Sequence, residues 1–103
     1  MNYVTLIGKM ATNPVFTTTS KGMNLARFKL VTIDKTVNQE GKVKSKIEKH
    51  ELFAWGKWEQ VLRAYGTEGL QLAIEGKLVY RFCSNQGKPI KIAEVEVNDL
   101  IIM

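Results

Sequence analysis

The hydrophobic spacing of this chain departs from the strand period in one segment, which begins just after residue 56. Up to that point, apolar residues tend to alternate with polar ones, which is the period of a β-strand. The next apolar residues have the i, i+3, i+4, i+7 spacing of one stripe of a short helix: Trp58, Val61, Leu62 and Tyr65. Gly66 and Gly69 follow, and glycine commonly ends a helix. The sequence therefore predicts one helix in a chain that otherwise forms strands.

Five segments have the alternation and the β-branched residues typical of strands. In chain order they are "YVTLIGKM", "LARFKLVTI", "IEKHELFAW", "LQLAIEGKLVYRF" and "IKIAEVEV". The first alternates only loosely, so we expect it to be well buried. In the second, Ala26, Phe28 and Leu30 fall on one face and basic residues on the other. Gly76 interrupts the fourth, which predicts a bulge or a bend there.

The position of the helix decides between the folds that short strands allow. Five strands with one short helix between the third and the fourth have the order of an OB-fold, an all-β Greek-key barrel whose helix plugs one end. The strands alone would fit an SH3-like barrel or a sandwich equally well. A chain of 103 residues can bury one core, so residues 1–103 are predicted to form a single OB-fold domain.

The apolar segments are too short for a membrane span, which needs about 18 consecutive apolar residues. The opening "MNYVTLIGKM" also lacks the basic start and the continuous apolar core of a signal peptide. The single cysteine, Cys83, leaves no partner for an internal disulfide bond. We therefore expect no membrane partner and a cytoplasmic location.

The stretch "ELFAWGKWEQ" contains two tryptophans with different predicted environments. Trp58 belongs to the helical stripe, so we expect it to fill the open end of the barrel. Trp55 ends the third strand on the same face as Lys49, whose ammonium group must reach water. His50 falls on the opposite, apolar face, where a buried position or a subunit contact is expected. Trp55 is therefore predicted to be an exposed aromatic residue, unless Phe53 shelters it.

Basic residues outnumber acidic ones, and they are concentrated in one segment. The formal net charge is +5, which favours an anionic partner. The segment "DKTVNQEGKVKSK" predicts a long, exposed hairpin loop. Together with the start of the third strand it contains five lysines: Lys35, Lys42, Lys44, Lys46 and Lys49. The alternative interpretation is an ordinary solvated hairpin without a ligand.

In their order and spacing these segments resemble the bacterial single-stranded DNA-binding proteins. The matching pieces are "NYVTLIGKMATNPV", "LARFKLVT", "IEKHELFAWGK", "AIEGKL" and "EVEVNDLIIM", which together cover the whole chain. The resemblance implies a non-enzymatic OB-fold protein that usually assembles as a homotetramer. It also implies a protein of the bacterial cytoplasm, associated with the nucleoid, that wraps single strands exposed in DNA replication, repair and recombination.

Only one of the family's aromatic stacking positions keeps an aromatic residue in this sequence. Trp55 matches the aromatic at the end of the third strand, whereas the other positions correspond to Lys49, Cys83 and about Thr36. Phe82 lies one residue before the position that corresponds to Cys83. Since a one-residue slip turns a side chain to the opposite face, Phe82 would count only if the short "SNQG" hairpin or a bulge at Gly76 restored the register.

Binding a single strand without reading its sequence needs cations along the phosphates and flat apolar faces for the bases. Besides the five lysines above, the cations expected to extend the track are Arg27, Lys29, Lys77 and Arg81. Stacking is expected on Trp55, with three further candidates: Phe82, Tyr80 and Tyr3. The predicted ligand is single-stranded DNA, with RNA as a further candidate.

The missing aromatics leave a second function open, that of a degenerate OB-fold acting mainly in protein–protein interaction. The family's flexible linker and acidic tip, which recruit repair enzymes, do not follow Met103, so either the chain is a shortened form or the protein lacks that function. A primosomal relative of similar length, tail-less and typically dimeric, is a useful comparison.

The apolar opening "YVTLIG" would make a poor exposed edge, so self-association to a dimer or a tetramer is expected.

The residues do not support a catalytic or a metal site. One histidine and one cysteine are too few for a metal constellation. The carboxylates show no pairing with a nucleophile, and Gly56-Lys57 lacks the other residues of a phosphate-binding loop. We therefore expect a protein that is not an enzyme and needs no cofactor.

Overall fold

A computed structural model describes residues 2–103 as a closed β-barrel with one helix. The strands, in chain order, are β1 (Val4–Met10), β2 (Val15–Thr18), β3 (Asn24–Val37), β4 (Val43–Trp55), β5 (Gln71–Asn85) and β6 (Lys88–Ile102). The helix α1 (Lys57–Tyr65) lies between β4 and β5. These two strands are the predicted third and fourth, because the short β2 counts as an additional strand. The predicted OB-fold is therefore confirmed.

The strand order explains how the barrel closes and where it opens. The order is β1-β5-β6-β4-β3-β2, and β1 also pairs with β3 through Lys9 and Met10. The only parallel contact within residues 2–103 joins β4 to β6 and covers two residues of each strand, Leu52 and Phe53 of β4. Beyond this short contact the β3–β4 and β5–β6 hairpins separate, so that each extends from the barrel as a long arm.

The core lies on the inward face of the strands, as the alternation predicts. Ala26, Phe28 and Leu30 are buried together on β3. The helix adds Leu62 to this core, and Trp58 packs against it while half-buried. The predicted packing of Trp58 against the barrel core is confirmed, although the ring is only partly buried. Among residues 2–103, no helix has the length and apolar content needed to cross a membrane.

Two predictions of burial are wrong. β1 is amphipathic rather than well buried, because only one of its faces meets the core: Met10 is buried, whereas Ile7 is 61% exposed. Tyr65, the last member of the apolar helical stripe, is 65% exposed, because the barrel covers Trp58, Glu59, Val61 and Leu62 and the last turn of α1 extends beyond it. Glu59 is buried instead, and its carboxylate accepts a hydrogen bond from Arg63 at 2.7 Å.

The segment predicted as a long hairpin loop is mostly paired strand. Pairing between β3 and β4 continues to Val37 and Val43, so the connecting turn covers only residues 38–42. The side-chain oxygen of Asn38 stabilises this turn by accepting hydrogen bonds from the backbone N–H groups of Glu40 and Lys42. The polar composition concealed the pairing, because a hairpin arm outside the barrel has no core-facing side. The predicted exposure of the segment is confirmed.

The predicted irregularity at Gly76 is confirmed, and the extra residue lies in the partner strand. Glu75 pairs with Asp99 and Gly76 with Val97, so Asn98 of β6 is left without a partner in β5. A Cβ atom at Gly76 would lie 2.1 Å from the backbone oxygen of Glu96, so only glycine fits this close approach.

Candidate nucleic-acid interface

The outward side of the β3–β4 hairpin carries much of the predicted site. In an antiparallel pair, directly opposed residues point to the same face, so the register defines the rows of side chains on that face. From the barrel to the turn these rows are Leu25–Trp55, Arg27–Phe53, Lys29–Glu51, Val31–Lys49, Ile33–Ile47, Lys35–Ser45 and Val37–Val43. We call this surface the outer face of the hairpin.

Trp55 is at the barrel end of the outer face and is 47% exposed. Its indole nitrogen donates a hydrogen bond to the Glu96 carboxylate over 3.1 Å. The half-buried Phe53 lies next to it along β4, and the Arg27 guanidinium lies 5.9 Å from the centre of the Phe53 ring. The predicted exposure of Trp55 is confirmed, so this indole is available to a planar partner.

The outer face continues across β6 onto β5. Phe53 pairs with Glu96, which in turn pairs with Lys77, and the Lys77 ammonium lies 3.7 Å from the Glu96 carboxylate. One row therefore runs from Arg27 through Phe53 and Glu96 to Lys77. Two of the predicted cations, Arg27 and Lys77, are brought onto one surface with Trp55.

A buried carboxylate joins two of the predicted arginines. Glu94 is 3% exposed, and its two oxygens accept hydrogen bonds from Arg27 and Arg81. Hydrogen bonding to the Glu94 carboxylate raises the pKa of the Arg81 guanidinium. A groove of about 250 Å³ lies over this cluster. The groove is also lined by Lys29 and Glu51, so three cationic and two anionic side chains leave a net positive charge there, which suits a phosphate.

Three of the predicted lysines do not lie on the outer face. Lys44 and Lys46 alternate to the opposite side of the hairpin, and Lys46 forms an ion pair with Glu48 over 3.1 Å. Lys42 is in the turn. The lysines that remain on the outer face are Lys29, Lys35 and Lys49, and none has a carboxylate ion-pair partner in the part of the chain that the structure describes.

Tyr80 and Phe82 are exposed on the other face of the β5–β6 hairpin. They alternate with Arg81 and continue the side of β5 on which Leu78 packs against the core. The bulge does not turn Phe82 towards Trp55, because the extra residue is in β6 and leaves the alternation of β5 unbroken. The structure thus separates Phe82, which is 71% exposed, from the outer face.

Tyr3 is also distant from Trp55. It precedes β1, which is separated from β4 by β5 and β6 in the sheet order. Its hydroxyl interacts with Glu75, and hydrogen bonding to that carboxylate raises the pKa of Tyr3. We therefore place Tyr3 outside the surface that the predicted cations share with Trp55.

Sequence reasoning missed Lys91 and the role of the space between the two hairpin arms. A cleft of about 510 Å³ lies where β4 and β6 diverge, and its lining includes Lys29, Lys49 and Lys91. The Lys91 ammonium lies 4.2 Å from the centre of the Tyr80 ring. His50 also borders the cleft and shares a 3.0 Å hydrogen bond with the Thr32 hydroxyl. The alternation of "IKIAEVEV" could have placed Lys91 on the face of Tyr80 only once the pairing of β5 and β6 was known.

Comparison with known proteins identifies a family. The model of the Single-strand binding protein family matches residues 1–103. Single-stranded DNA-binding protein 1 of Chlorobaculum tepidum is 32% identical over 81 residues, which are 79% of this chain and 50% of that protein. The Single-stranded DNA-binding protein of Xanthomonas campestris pv. campestris is 26% identical over 101 residues, 97% of this chain and 59% of that protein. The chain thus spans about half the length of these curated relatives.

Solved structures show the same fold. The structure of Plasmodium falciparum SSB in complex with ssDNA matches with a TM-score of 0.88 at 24% identity, covering 100% of this chain and 95% of that one. A deletion mutant of the single-stranded DNA binding protein from Thermus aquaticus matches with a TM-score of 0.86 at 20% identity, covering 100% and 50%. At these identities the likeness supports the fold alone.

Proposed function

The chain belongs to the Single-strand binding protein family, a family of non-enzymatic DNA-binding proteins, and we propose that it binds single-stranded DNA without sequence preference. The proposed site is the outer face of the β3–β4 hairpin, extended over the groove between Arg27 and Arg81. The observation that carries this proposal is the exposed indole of Trp55 on the same face as Lys29, Lys35 and Lys49.

The charges of the outer face support a phosphate track. Lys29, Lys35 and Lys49 form no ion pair within residues 2–103. Glu51 opposes Lys29 across the strands, whereas Lys35 and Lys49 oppose Ser45 and Val31, so the charges of these two lysines are the ones most available to a ligand. Arg27 and Arg81 are positioned side by side by Glu94, and guanidinium groups bind phosphate oxygens through paired hydrogen bonds. Lys44 and Lys46 on the opposite face of the hairpin, and Lys42 in the turn, would add a longer-range attraction.

Trp55 supports a contribution from bases. Each base stacked on an aromatic side chain contributes about 1–3 kcal/mol to binding, and stacking does not depend on base identity. Since Glu96 holds the nitrogen edge of the indole, a base would stack on one of its flat faces. The single strands proposed as ligands are those exposed in DNA replication, recombination and repair in the bacterial cytoplasm.

We further propose that a second copy of the chain covers the open side of β1. Over Val4–Gly8, β1 pairs with β5 on one side and has no strand partner on the other among residues 2–103. On the adjoining sheet face, Ile7, Ala73 and Ile101 form one row, and both isoleucines are largely exposed. An open edge beside an apolar face favours pairing with a copy of the same chain, as a dimer or as part of a tetramer.

Fluorescence titration tests the proposed DNA binding. Stacking of bases on Trp55 is expected to quench its emission when oligo(dT) is added at low salt, and the Trp55→Ala variant, which keeps Trp58, is expected to show no such quenching. If neither quenching nor a retarded gel band is observed for the unmodified chain, the proposal is wrong. That result would favour the protein-interaction function, which the lack of aromatics at the other family positions suggests.

A further inference from the structure

We propose that two aliphatic pairs on the outer face of the β3–β4 hairpin, Ile33–Ile47 and Val37–Val43, contact the bases of the bound strand. This inference rests on the proposed function and deepens it by naming an apolar surface that none of the aromatic positions includes. All four side chains are more than half exposed. The members of each pair are directly opposed across β3 and β4.

The hydrophobic alternation reverses where the hairpin leaves the barrel. Within the barrel, even-numbered residues of β3 face the core, and Thr32 is the last of them to be buried. The next even-numbered positions, Asp34 and Thr36, are polar and oppose Lys46 and Lys44. Beyond the same point, the odd-numbered positions, which face outwards, include four aliphatic residues, Ile33, Val37, Val43 and Ile47, together with Lys35 and Ser45. An arm that needed only to be soluble would keep its outward face polar, so this reversal points to a ligand with apolar surface on that side.

Cations alternate with the aliphatic pairs along the outer face. From the barrel outwards, the rows are Val31–Lys49, Ile33–Ile47, Lys35–Ser45 and Val37–Val43. Successive rows on one face of a strand are about 6.8 Å apart, since each residue advances the strand by about 3.4 Å. Each aliphatic pair therefore lies one row from a lysine. A single nucleotide can bridge such a distance, with its base against the aliphatic pair and its phosphate at the lysine.

This pattern favours a single strand over a second copy of the chain as the occupant. A protein surface that covered the two aliphatic pairs would also enclose Lys35 and Lys49, which have no carboxylate partner among residues 2–103. Burying such a charge is costly unless the partner supplies an opposite charge at each lysine. A strand that supplies one phosphate and one base per nucleotide satisfies both kinds of row. The same face reaches Trp55 four rows closer to the barrel, past the rows Val31–Lys49, Lys29–Glu51 and Arg27–Phe53.

The double variant Ile33→Thr/Ile47→Thr tests this inference, because threonine keeps the β-branched shape of a strand residue. Binding is measured by fluorescence anisotropy with an oligo(dT) of about eight nucleotides, within the range bound by one OB-fold, and with an abasic oligomer of the same length. We expect the variant to bind oligo(dT) about fivefold more weakly, from the loss of apolar contact, and the abasic oligomer as tightly as the unmodified chain. Val37→Thr/Val43→Thr is an independent second variant, expected to behave in the same way.

The control is Tyr65→Thr, which also replaces an exposed apolar side chain by threonine but lies on α1, away from both the outer face and the proposed contact between copies. We expect it to bind both oligomers as the unmodified chain does. The inference is wrong if the hairpin variants retain full affinity for oligo(dT), or if they lose equal affinity for both oligomers. If the hairpin variants keep their affinity for DNA but change their molecular mass in light scattering, the aliphatic pairs are a protein contact instead. An unmodified chain that binds neither oligomer would overturn the proposed function itself.

Discussion

Trp55 and Glu96 are joined by a hydrogen bond of 3.1 Å between the indole nitrogen and one carboxylate oxygen. The other oxygen of the same carboxylate lies 3.7 Å from the Lys77 ammonium. The second tryptophan is also tied to β6, because the Trp58 indole nitrogen donates to the backbone oxygen of Asn98 over 3.0 Å. Both indole nitrogens thus donate hydrogen bonds to β6, but the two rings have different surroundings. Trp55 lies on the outer face, and Trp58 packs against the core.

This difference predicts opposite effects of removing each tryptophan. We expect Trp55→Ala to weaken oligo(dT) binding by about 1–3 kcal/mol, the contribution of one stacked base, with little change in the unfolding midpoint. Trp58→Ala is expected to lower the free energy of unfolding by about 2–3 kcal/mol, because it leaves a cavity at the barrel end and frees the Asn98 carbonyl. Urea unfolding and anisotropy titration measure the two quantities. If both variants unfold early and bind alike, the assigned division of roles is incorrect.

The unpaired lysines of the outer face predict salt-sensitive DNA binding. Each phosphate that a cation neutralises contributes about −0.7 to the slope of log affinity against log salt, so three contacts predict a slope of about −2 or steeper. We expect Lys35→Gln/Lys49→Gln to make this slope shallower by about 1.4. The matched control is Lys44→Gln/Lys46→Gln, which removes the same charge from the opposite face of the same hairpin. If the two variants change the slope equally, lysines on either face of the hairpin contribute alike and the outer face is not the phosphate track.

In the Glu94 cluster, removing the two arginines is predicted to lower the free energy of unfolding more than removing the carboxylate does. Arg27→Met/Arg81→Met leaves a buried carboxylate without a cation, and we expect the free energy of unfolding to fall by about 3–5 kcal/mol. Glu94→Ala is expected to cost about 1–2 kcal/mol, because both guanidinium groups are partly exposed and remain hydrated. Urea unfolding of both variants measures this difference. Glu68→Ala, at an exposed position, is the control. A larger loss for Glu94→Ala than for the double arginine variant would contradict this account.

The open edge of β1 predicts that a charge there prevents self-association. Ile7→Arg places a guanidinium group at the centre of the proposed contact, where a second copy would have to bury it. We expect light scattering to show an oligomer for the unmodified chain and a monomer for the variant. Tyr65→Arg, which makes a similar change at an exposed residue of α1, is expected to leave the mass unchanged. An oligomer that survives Ile7→Arg but not Tyr65→Arg would place the contact at the helix.

Local patterns were sufficient to predict the barrel, its helix and the exposure of Trp55. The period of two along β3 and β4 depends on neighbouring residues only, and it correctly separated Phe28 and Leu30 from Arg27. The same alternation placed Trp55 with Lys49. One helical stripe between strands then distinguished the OB-fold from other small β folds, because the order of elements is itself a property of the sequence.

The composition of the site depended on pairing between distant residues. Because the extra residue Asn98 lies in β6, Phe82 of β5 is on the face opposite Arg81. The sequence around Phe82 does not indicate in which strand the extra residue lies. Glu94 becomes a buried partner of Arg27, 67 positions away, only when β3 and β6 face the same groove. The pairing of the polar hairpin arm could not be predicted, because strands outside the barrel have no inward face on which apolar residues would alternate. Alternation along a strand is local and can be derived from the chain, whereas register and burial arise from contacts that exist only after the barrel has closed.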